Sequence, residues 1–317
     1  MRIKRAEKYG FCAGVRIADR KVKKFAAAGG RGAILGQVVH NERVVHEMEE
    51  LGVRTVESLD EVPDGAIVFS AHGVPPSFLH TARRRGLQVL DTTCPFVYDV
   101  HDDAQAALAQ GLHLAFIGDP RHREIIGYTH DLDPAAYHVV STVEEARAVD
   151  WASYPGVRIL YQTTLNAEEY EAVAAAIEAA GSNQSRESAT SGDVVERASV
   201  GGRPRNNVSR TDTICYATKE NQEAALQLAQ DPAVQAILVI GGRNSANTRH
   251  LWEICARVKP SYLVHGAEDV QAEWLDGVEV LGVTAGASTP DYLIDEVEAA
   301  AQELRSRLRG DLVSAAR

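Results

Sequence analysis

Three times along the chain, a cysteine at or just before a helical stretch is followed by two polar loops at matching intervals. This internal repeat restricts the fold more than any other feature. The cysteines lie in GFCAGV (Cys12), TTCPFV (Cys94) and ICYATK (Cys215). One polar loop follows 28 or 29 residues later, around His40, His122 and Asn244, and another about 60–75 residues after the cysteine, around His72, Thr163 and Ser288. Short Val/Ile/Leu runs alternate with amphipathic stretches, which predicts an α/β chain with mainly parallel sheets. Strands are expected at 33–35, 66–69, 88–90, 114–117, 157–161, 236–240 and 278–283, and helices at 15–28, 103–110, 168–180, 222–229, 248–258 and 292–308. Parallel strands present ligand loops at their carboxyl ends. Three similar α/β units with pseudo-threefold symmetry would therefore gather the cysteines and polar loops at one centre.

The expected organisation is a first unit over 1–93 with an N-terminal segment, a second over 94–214, a third over 215–290 and a C-terminal helical segment over 291–317. Residues 181–210 have no aromatic side chain and are dense in Ser, Gly, Arg and Asn, so a disordered insertion is expected in the second unit. With 33 Lys and Arg against 44 Asp and Glu, the net charge is −11. That balance speaks against a nucleic-acid partner, since phosphate neutralisation calls for a basic surplus. The dense basic run Arg83-Arg84-Arg85 reads as the polar end of a helix. No apolar run reaches the roughly 18 residues a membrane span requires, and MRIKRAEKYG lacks the apolar core of a signal peptide. A cytoplasmic location with no membrane partner is expected, and thiols there stay reduced.

A cysteine opening a helix has its sulfur near unpaired N–H groups and the positive end of the helix dipole, which favours the thiolate. Cys255, inside LWEICARVKP, reads as buried core. For the other three, the residues alone leave open a cluster, a zinc site and inert thiols. No CxxC is present, so zinc would need three distant loops with His40, His72 or His122 as fourth ligand. Three thiolates suit a [4Fe–4S] cluster whose last iron is open.

His40, His72, His122, Ser245, Asn247 and Ser288 offer donors suited to a phosphate or diphosphate at helix starts. No GxxxxGK[ST] motif is present, which excludes a P-loop. Glu124 reads either as an acid in a dry pocket or as favourable charge in a first helical turn. Thr163 and Thr164 read as proton relays or as helix caps.

Together GFCAGV, VVHN, SAHGV, DTTCP, HREIIG, QTTL, ICYAT, GGRNSAN and GVTAGAS resemble, in the right order, the 4-hydroxy-3-methylbut-2-enyl diphosphate reductase (LytB) family from Arg2 to about Asp291. The resemblance implies three α/β units around one [4Fe–4S] cluster per chain, held by Cys12, Cys94 and Cys215, with one iron lacking a protein ligand. It implies diphosphate contacts from His40, His72, His122, Ser245, Asn247 and Ser288, substrate contacts also from Thr163 and Asn244, and proton supply by Glu124 supported by Thr163. The implied reaction removes the allylic hydroxyl as water and gives isopentenyl and dimethylallyl diphosphate, with electrons from a donor such as ferredoxin or flavodoxin. Ala246 stands where the family often has a second serine, and Arg123 and Ile126 replace a common proline and glutamate. The rival readings are an iron–sulfur redox sensor, a zinc-stabilised scaffold, and an iron–sulfur hydro-lyase that would draw on Arg121, Arg123 and Arg243.

Overall fold

The first repeat opens at Cys12 and runs through α1 (Ala13–Ala27), β2 (Gly32–Leu35), α2 (Glu42–Glu50), β3 (Val53–Val56), β4 (Ala66–Phe69), α3 (Pro76–Arg84) and β5 (Gln88–Asp91). The second opens at Cys94 and runs through α4 (Pro95–Ala109), β6 (His113–Ile117), α5 (Arg123–Thr129), β7 (Tyr137–Val140), α6 (Val143–Ala148), β8 (Gly156–Tyr161), α7 (Ala167–Ser182) and β9 (Asn207–Arg210). The third opens at Cys215 and runs through α8 (Tyr216–Gln230), β10 (Ala236–Ile240), α9 (Ala246–Ala256), β11 (Ser261–Val264), β12 (Val280–Ala285) and α10 (Asp291–Ala315). This computed structural model describes residues 1–182 and 207–315.

Each repeat builds a four-stranded parallel sheet, and the three sheets share one strand order: β3-β2-β4-β5, β7-β6-β8-β9 and β11-β10-β12-β1. The last strand of the third sheet is the N-terminal β1 (Arg2–Arg5), in register with Val280–Val283 of β12. The N-terminal segment, grouped by sequence with the first unit, thus completes the third sheet. RIKR has too little apolar character to declare a partner before the fold forms. In each sheet the two central strands are the first and third of their repeat, so the loops after them flank a topological switch point, where open α/β sheets bind ligands.

The central strands β4, β6 and β10 are buried at every position, as expected of parallel strands covered on both faces. In the third sheet, Leu238 and Ile240 pack with Leu293, Ile294 and Val297 of α10, while Ile237 and Val239 pack with Ala225, Leu228 and Leu251 of α8 and α9. In the first sheet, Ile34 and Val68 pack with Ala18 and Val22 of α1 and with Val44 and Met48 of α2. In the second, Ile159 and Tyr161 pack with Val173, Ala174 and Ile177 of α7 and with Trp151, whose indole N–H donates to Ala146 O at 2.6 Å.

The sequence pattern locates the central strands and misses β1, β3, β7, β9 and β11. Edge strands mix polar and apolar residues because part of their surface is wet: β3 reads VRTV and β11 SYLV. Helix α4 starts at Pro95 rather than near 103, because exposed Phe96 and Tyr98 blur the apolar stripe of its first turns. Strand β12 runs over 280–285, two residues beyond the expected span, since buried Thr284 continues it. At the expected 181–210 insertion, Gly181 and Ser182 end α7 and 207–210 form a strand paired with β8, while 183–206 lie outside the described residues.

By compactness the chain divides into two units. The first comprises 1–72, 80–94 and 215–317, with the first and third sheets, and the second comprises 73–79 and 95–214, with the second sheet.

Candidate active site

Along the chain each cysteine follows the last strand of a sheet and opens a helix: β1 to Cys12 to α1, β5 to Cys94 to α4, β9 to Cys215 to α8; the three cysteines themselves fall in the first compact unit. Cys12 caps α1 with its own sulfur, which accepts the Val15 N–H at 3.4 Å. Its backbone N–H donates to Ala287 O at 3.2 Å, and the Cys94 N–H donates to Ala71 O at 3.0 Å. Two of the polar loops thereby anchor two of the cysteines. Cys215 stands at the N-cap position of α8. The three are half-buried and free of disulfides.

Gly14 shows how close Cys12 and Cys94 come. A Cβ at that position would lie 2.7 Å from Cys94 Sγ and 4.0 Å from Cys12 Sγ, so both sulfurs face a notch that only glycine leaves open. Among the described residues no three His, Cys, Asp or Glu side chains lie close enough to share one metal ion. Ligands of a multi-iron cluster each bind a different iron and stand farther apart than ligands of one ion, and a thiolate donor set is the one such clusters take. Cys12 and Cys94, whose sulfurs share the Gly14 notch, fit that group as donors. Helix position alone is a poor guide to the thiol: burial raises the Cys12 pKa, and the N–H groups of Val15 and Gly14 offset this only in part. Cys255 is core, its Sγ donating to Ala225 O at 3.7 Å and its pKa pushed up to about 12 by burial.

The switch points of the first and third sheets lie in the same unit. His40, after β2, and His72, after β4, stack with ring centroids 4.1 Å apart. Ser245, after β10, caps α9: its Oγ accepts from Thr248 N–H at 3.2 Å and from Thr248 Oγ1 at 2.9 Å. Ser288, after β12, donates to His40 O at 3.1 Å and lies 3.5 Å from Ser245 Oγ. Gly242 permits this meeting, since a Cβ there would fall 2.2 Å from His40 O. Asn247 is buried with both side-chain polar atoms unbonded, a costly state that a ligand with donors and acceptors would relieve. Asn244 sits in the same loop, just before the capping serine.

Two buried asparagines join this inventory. Asn41 caps α2 with its Oδ1 and keeps an unbonded Nδ2, and Asn221, inside α8, has an unbonded Nδ2. Asn221 carried no motif; its burial beside Thr218 and Gln222 is visible only once the helix is packed. Ala246 is the first residue of α9, so it leaves the Ser245 cap intact.

In the second unit, His122 caps α5, its Nδ1 accepting the Glu124 N–H at 3.2 Å. Glu124, after β6, and Thr163, after β8, meet across the switch point of their sheet. Thr163 donates its N–H to Glu124 Oε2 at 2.8 Å and its hydroxyl to Oε1 at 2.9 Å. Only 2% of Glu124 is exposed, and burial raises its pKa to about 7 against the opposing Thr163 bonds and a smaller contribution from Tyr128. Gln162 ties the two loops: its Oε1 accepts from Asp119 N–H at 3.1 Å and its Nε2 donates to Thr164 Oγ1 at 2.7 Å. The Thr164 hydroxyl thus serves as the acceptor of this tie. Exposed Arg121 pairs with Asp119 at 3.2 Å, and exposed Arg243 uses its backbone N–H to hold Glu42 at 3.3 Å.

Comparison with known proteins adds a lineage to this geometry. The family model described as LytB protein matches residues 3–302. A 4-hydroxy-3-methylbut-2-enyl diphosphate reductase of Actinobacillus pleuropneumoniae serotype 5b is 38% identical over 94% of the chain and 88% of its own length. One of Geobacter sulfurreducens is 33% identical over 98% and 100%. Among solved structures, (E)-4-hydroxy-3-methyl-but-2-enyl diphosphate reductase, the terminal enzyme of the non-mevalonate pathway, aligns with a TM-score of 0.65 at 31% identity, covering 96% of this chain and 100% of that one. The Plasmodium falciparum E-1-hydroxy-2-methyl-but-2-enyl-4-diphosphate reductase aligns with a TM-score of 0.80 over 94% and 87%; at 24% identity it supports the fold.

Proposed function

The chain belongs to the LytB protein family, and from that premise we propose how its loops perform the reaction of a 4-hydroxy-3-methylbut-2-enyl diphosphate reductase. The protein is that reductase: it removes the allylic hydroxyl and yields isopentenyl and dimethylallyl diphosphate. Family membership implies an iron–sulfur cofactor. In our reading it is one [4Fe–4S] cluster per chain, held by Cys12, Cys94 and Cys215, with one iron free of protein. When bound, the cluster supplies electrons and an open Lewis-acidic iron.

The chain's own residues do the rest. His40, His72, His122, Ser245, Asn247 and Ser288 bind the diphosphate and Asn244 contacts the substrate, with hydrogen-bond donors and helix N-termini stabilising the negative charge. The buried amide of Asn247 loses little by this, because it has no protein partner to give up. Fixing the diphosphate end orients the carbon chain and restricts it to one reacting geometry. Glu124 holds a proton at neutral pH and passes it toward the leaving hydroxyl, with Thr163 orienting the carboxyl and in reach of substrate itself. An electron carrier such as ferredoxin or flavodoxin renews the electrons. The reading places the protein in the cytoplasm, where its thiols stay reduced; among the described residues no helix is long and apolar enough to cross a membrane.

The observation that carries the mechanism is the Glu124–Thr163 pair, a buried carboxyl with a pKa of about 7 at a strand terminus equivalent to those bearing the diphosphate binders. A redox sensor or a zinc scaffold has no use for it. The test is anaerobic purification, iron and sulfide counting, and turnover of the hydroxylated allylic diphosphate with a chemical reductant. Glu124→Gln should keep the iron and sulfide and lose about 10²–10⁴ in kcat; undiminished turnover would remove Glu124 from the mechanism.

A further inference from the structure

Charge is distributed unevenly along this acidic chain. The first 31 residues hold ten Lys and Arg against two Asp and Glu, in a protein of net charge −11. Inside the strand β1, Lys4 and Arg5 are spent on ion pairs with Asp231 and with Asp295 and Glu298. On α1 the surplus is left on the surface. Arg16, Arg20 and Lys24 recur every four residues and form one row about 12 Å long; exposed Ile17 and Lys21 form the neighbouring row. The opposite face of α1 is buried through Ala18 and Val22.

The acidic groups facing this helix leave most of the row cationic. Asp19 and Glu47 take Lys23, and Asp291 takes Arg16 at 3.2 Å. Lys21 donates to the backbone carbonyl of Asp91 at 3.0 Å, not to a carboxylate. Arg20 and Lys24 are exposed and make no ion pair among the described residues. The row begins one turn from the half-buried Cys12, whose carbonyl accepts the Arg16 N–H at 2.9 Å.

We propose that the exposed face of α1, Arg16, Ile17, Arg20, Lys21 and Lys24, is the docking surface for a small acidic one-electron carrier protein. The proposal rests on the reductase reading, which demands two electrons per turnover and places a cluster ligand at the start of this helix. Each encounter delivers one electron. Two electrons and two protons balance the reaction: the allylic C–O bond breaks, one proton leaves with the hydroxyl as water, and the other ends on carbon. An acidic carrier is repelled by most of a −11 surface and drawn to this row, so charge selects the site and speeds encounter. Electron-transfer complexes bury little area, and one cationic helix face around an apolar residue such as Ile17 suffices for a contact that must also release quickly.

The test compares two reductants on the holoenzyme: a reduced plant-type ferredoxin and dithionite with methyl viologen, a small dye that needs no docking. Arg20→Glu/Lys24→Glu should lower kcat/KM for the ferredoxin by about tenfold or more and flatten its decline with added salt, leaving dye-driven turnover and the iron and sulfide content unchanged. The milder Arg20→Gln/Lys24→Gln variant should lose part of the ferredoxin rate in the same direction. Arg83→Glu/Arg84→Glu, the same charge change at the end of α3, should leave both assays alone. Unchanged ferredoxin kinetics in the α1 variants, or an equal loss in the α3 variant, would overturn the assignment. Absence of dye-driven turnover in the unmodified protein would instead defeat the reductase reading beneath it.

Discussion

Glu124 must be protonated to donate and sits where ionisation is expensive, so its two constraints act in the same direction. Its pKa of about 7 predicts a kcat that falls as pH rises through that value. Thr163→Val removes the hydroxyl bond that favours the carboxylate and keeps the backbone bond, so the alkaline limb should move to higher pH; a limb that stays in place would show that another group sets it. The stability consequence has the same sign. A carboxyl raised from 4.5 to about 7 contributes fully below its unfolded value and loses that contribution as pH rises through 7, a change of about 3 kcal/mol. Denaturation of the unmodified protein and Glu124→Gln should therefore differ in slope between pH 4.5 and 7. None of this could be read from the heptapeptide around Glu124, where an acid in a first helical turn looks like ordinary dipole compensation. Burial decides between the two readings, and burial depends on β8 delivering Thr163 from 39 positions away.

At the scale of elements, the turn at each switch point does two jobs with one residue. Ser245 caps α9 through Thr248 and contacts Ser288, so Ser245→Ala should cost about 1 kcal/mol in stability and also raise KM for the diphosphate, whereas Asn247→Ala should raise KM with little loss of stability. Equal stability losses in the two variants would mean that Asn247 is a structural amide. Gly14→Ala belongs here too. Ala is the better helix former, so α1 itself gains, yet the new Cβ meets Cys94 Sγ at 2.7 Å. Iron and sulfide content should drop while helical circular dichroism is retained. The central strands and the cysteine-to-helix starts were legible because buried parallel strands are continuous apolar runs and caps are local. Apart from β5, expected at 88–90, the edge strands and the short helices were not, because their residues answer to neighbours far along the chain. Arg2 paired with Val280 is the extreme case.

Across the whole molecule, one topology is used three times with different chemistry. The first and third sheets put hydrogen-bonding side chains at their switch points, His40 with His72 and Ser245 with Ser288, while the second puts an acid–hydroxyl pair in the same place. The repeat spacing in the sequence announced the shared topology, and on the proposed reading the side chains alone divide anion binding from proton supply. The three cysteines open the three repeats, yet all belong to the first compact unit, formed from segments on both sides of the second. A cofactor bound by Cys12, Cys94 and Cys215 would stabilise the folded protein by mass action. Calorimetry under anaerobic conditions should show the reconstituted protein unfolding at a lower temperature once the cluster is removed. Cys94→Ser should reproduce the apo trace, and Cys255→Ser, altering a thiol that touches only core, should retain the cluster and the holo trace. A Cys94→Ser protein with full iron and sulfide content would break the link between the repeat and its cofactor.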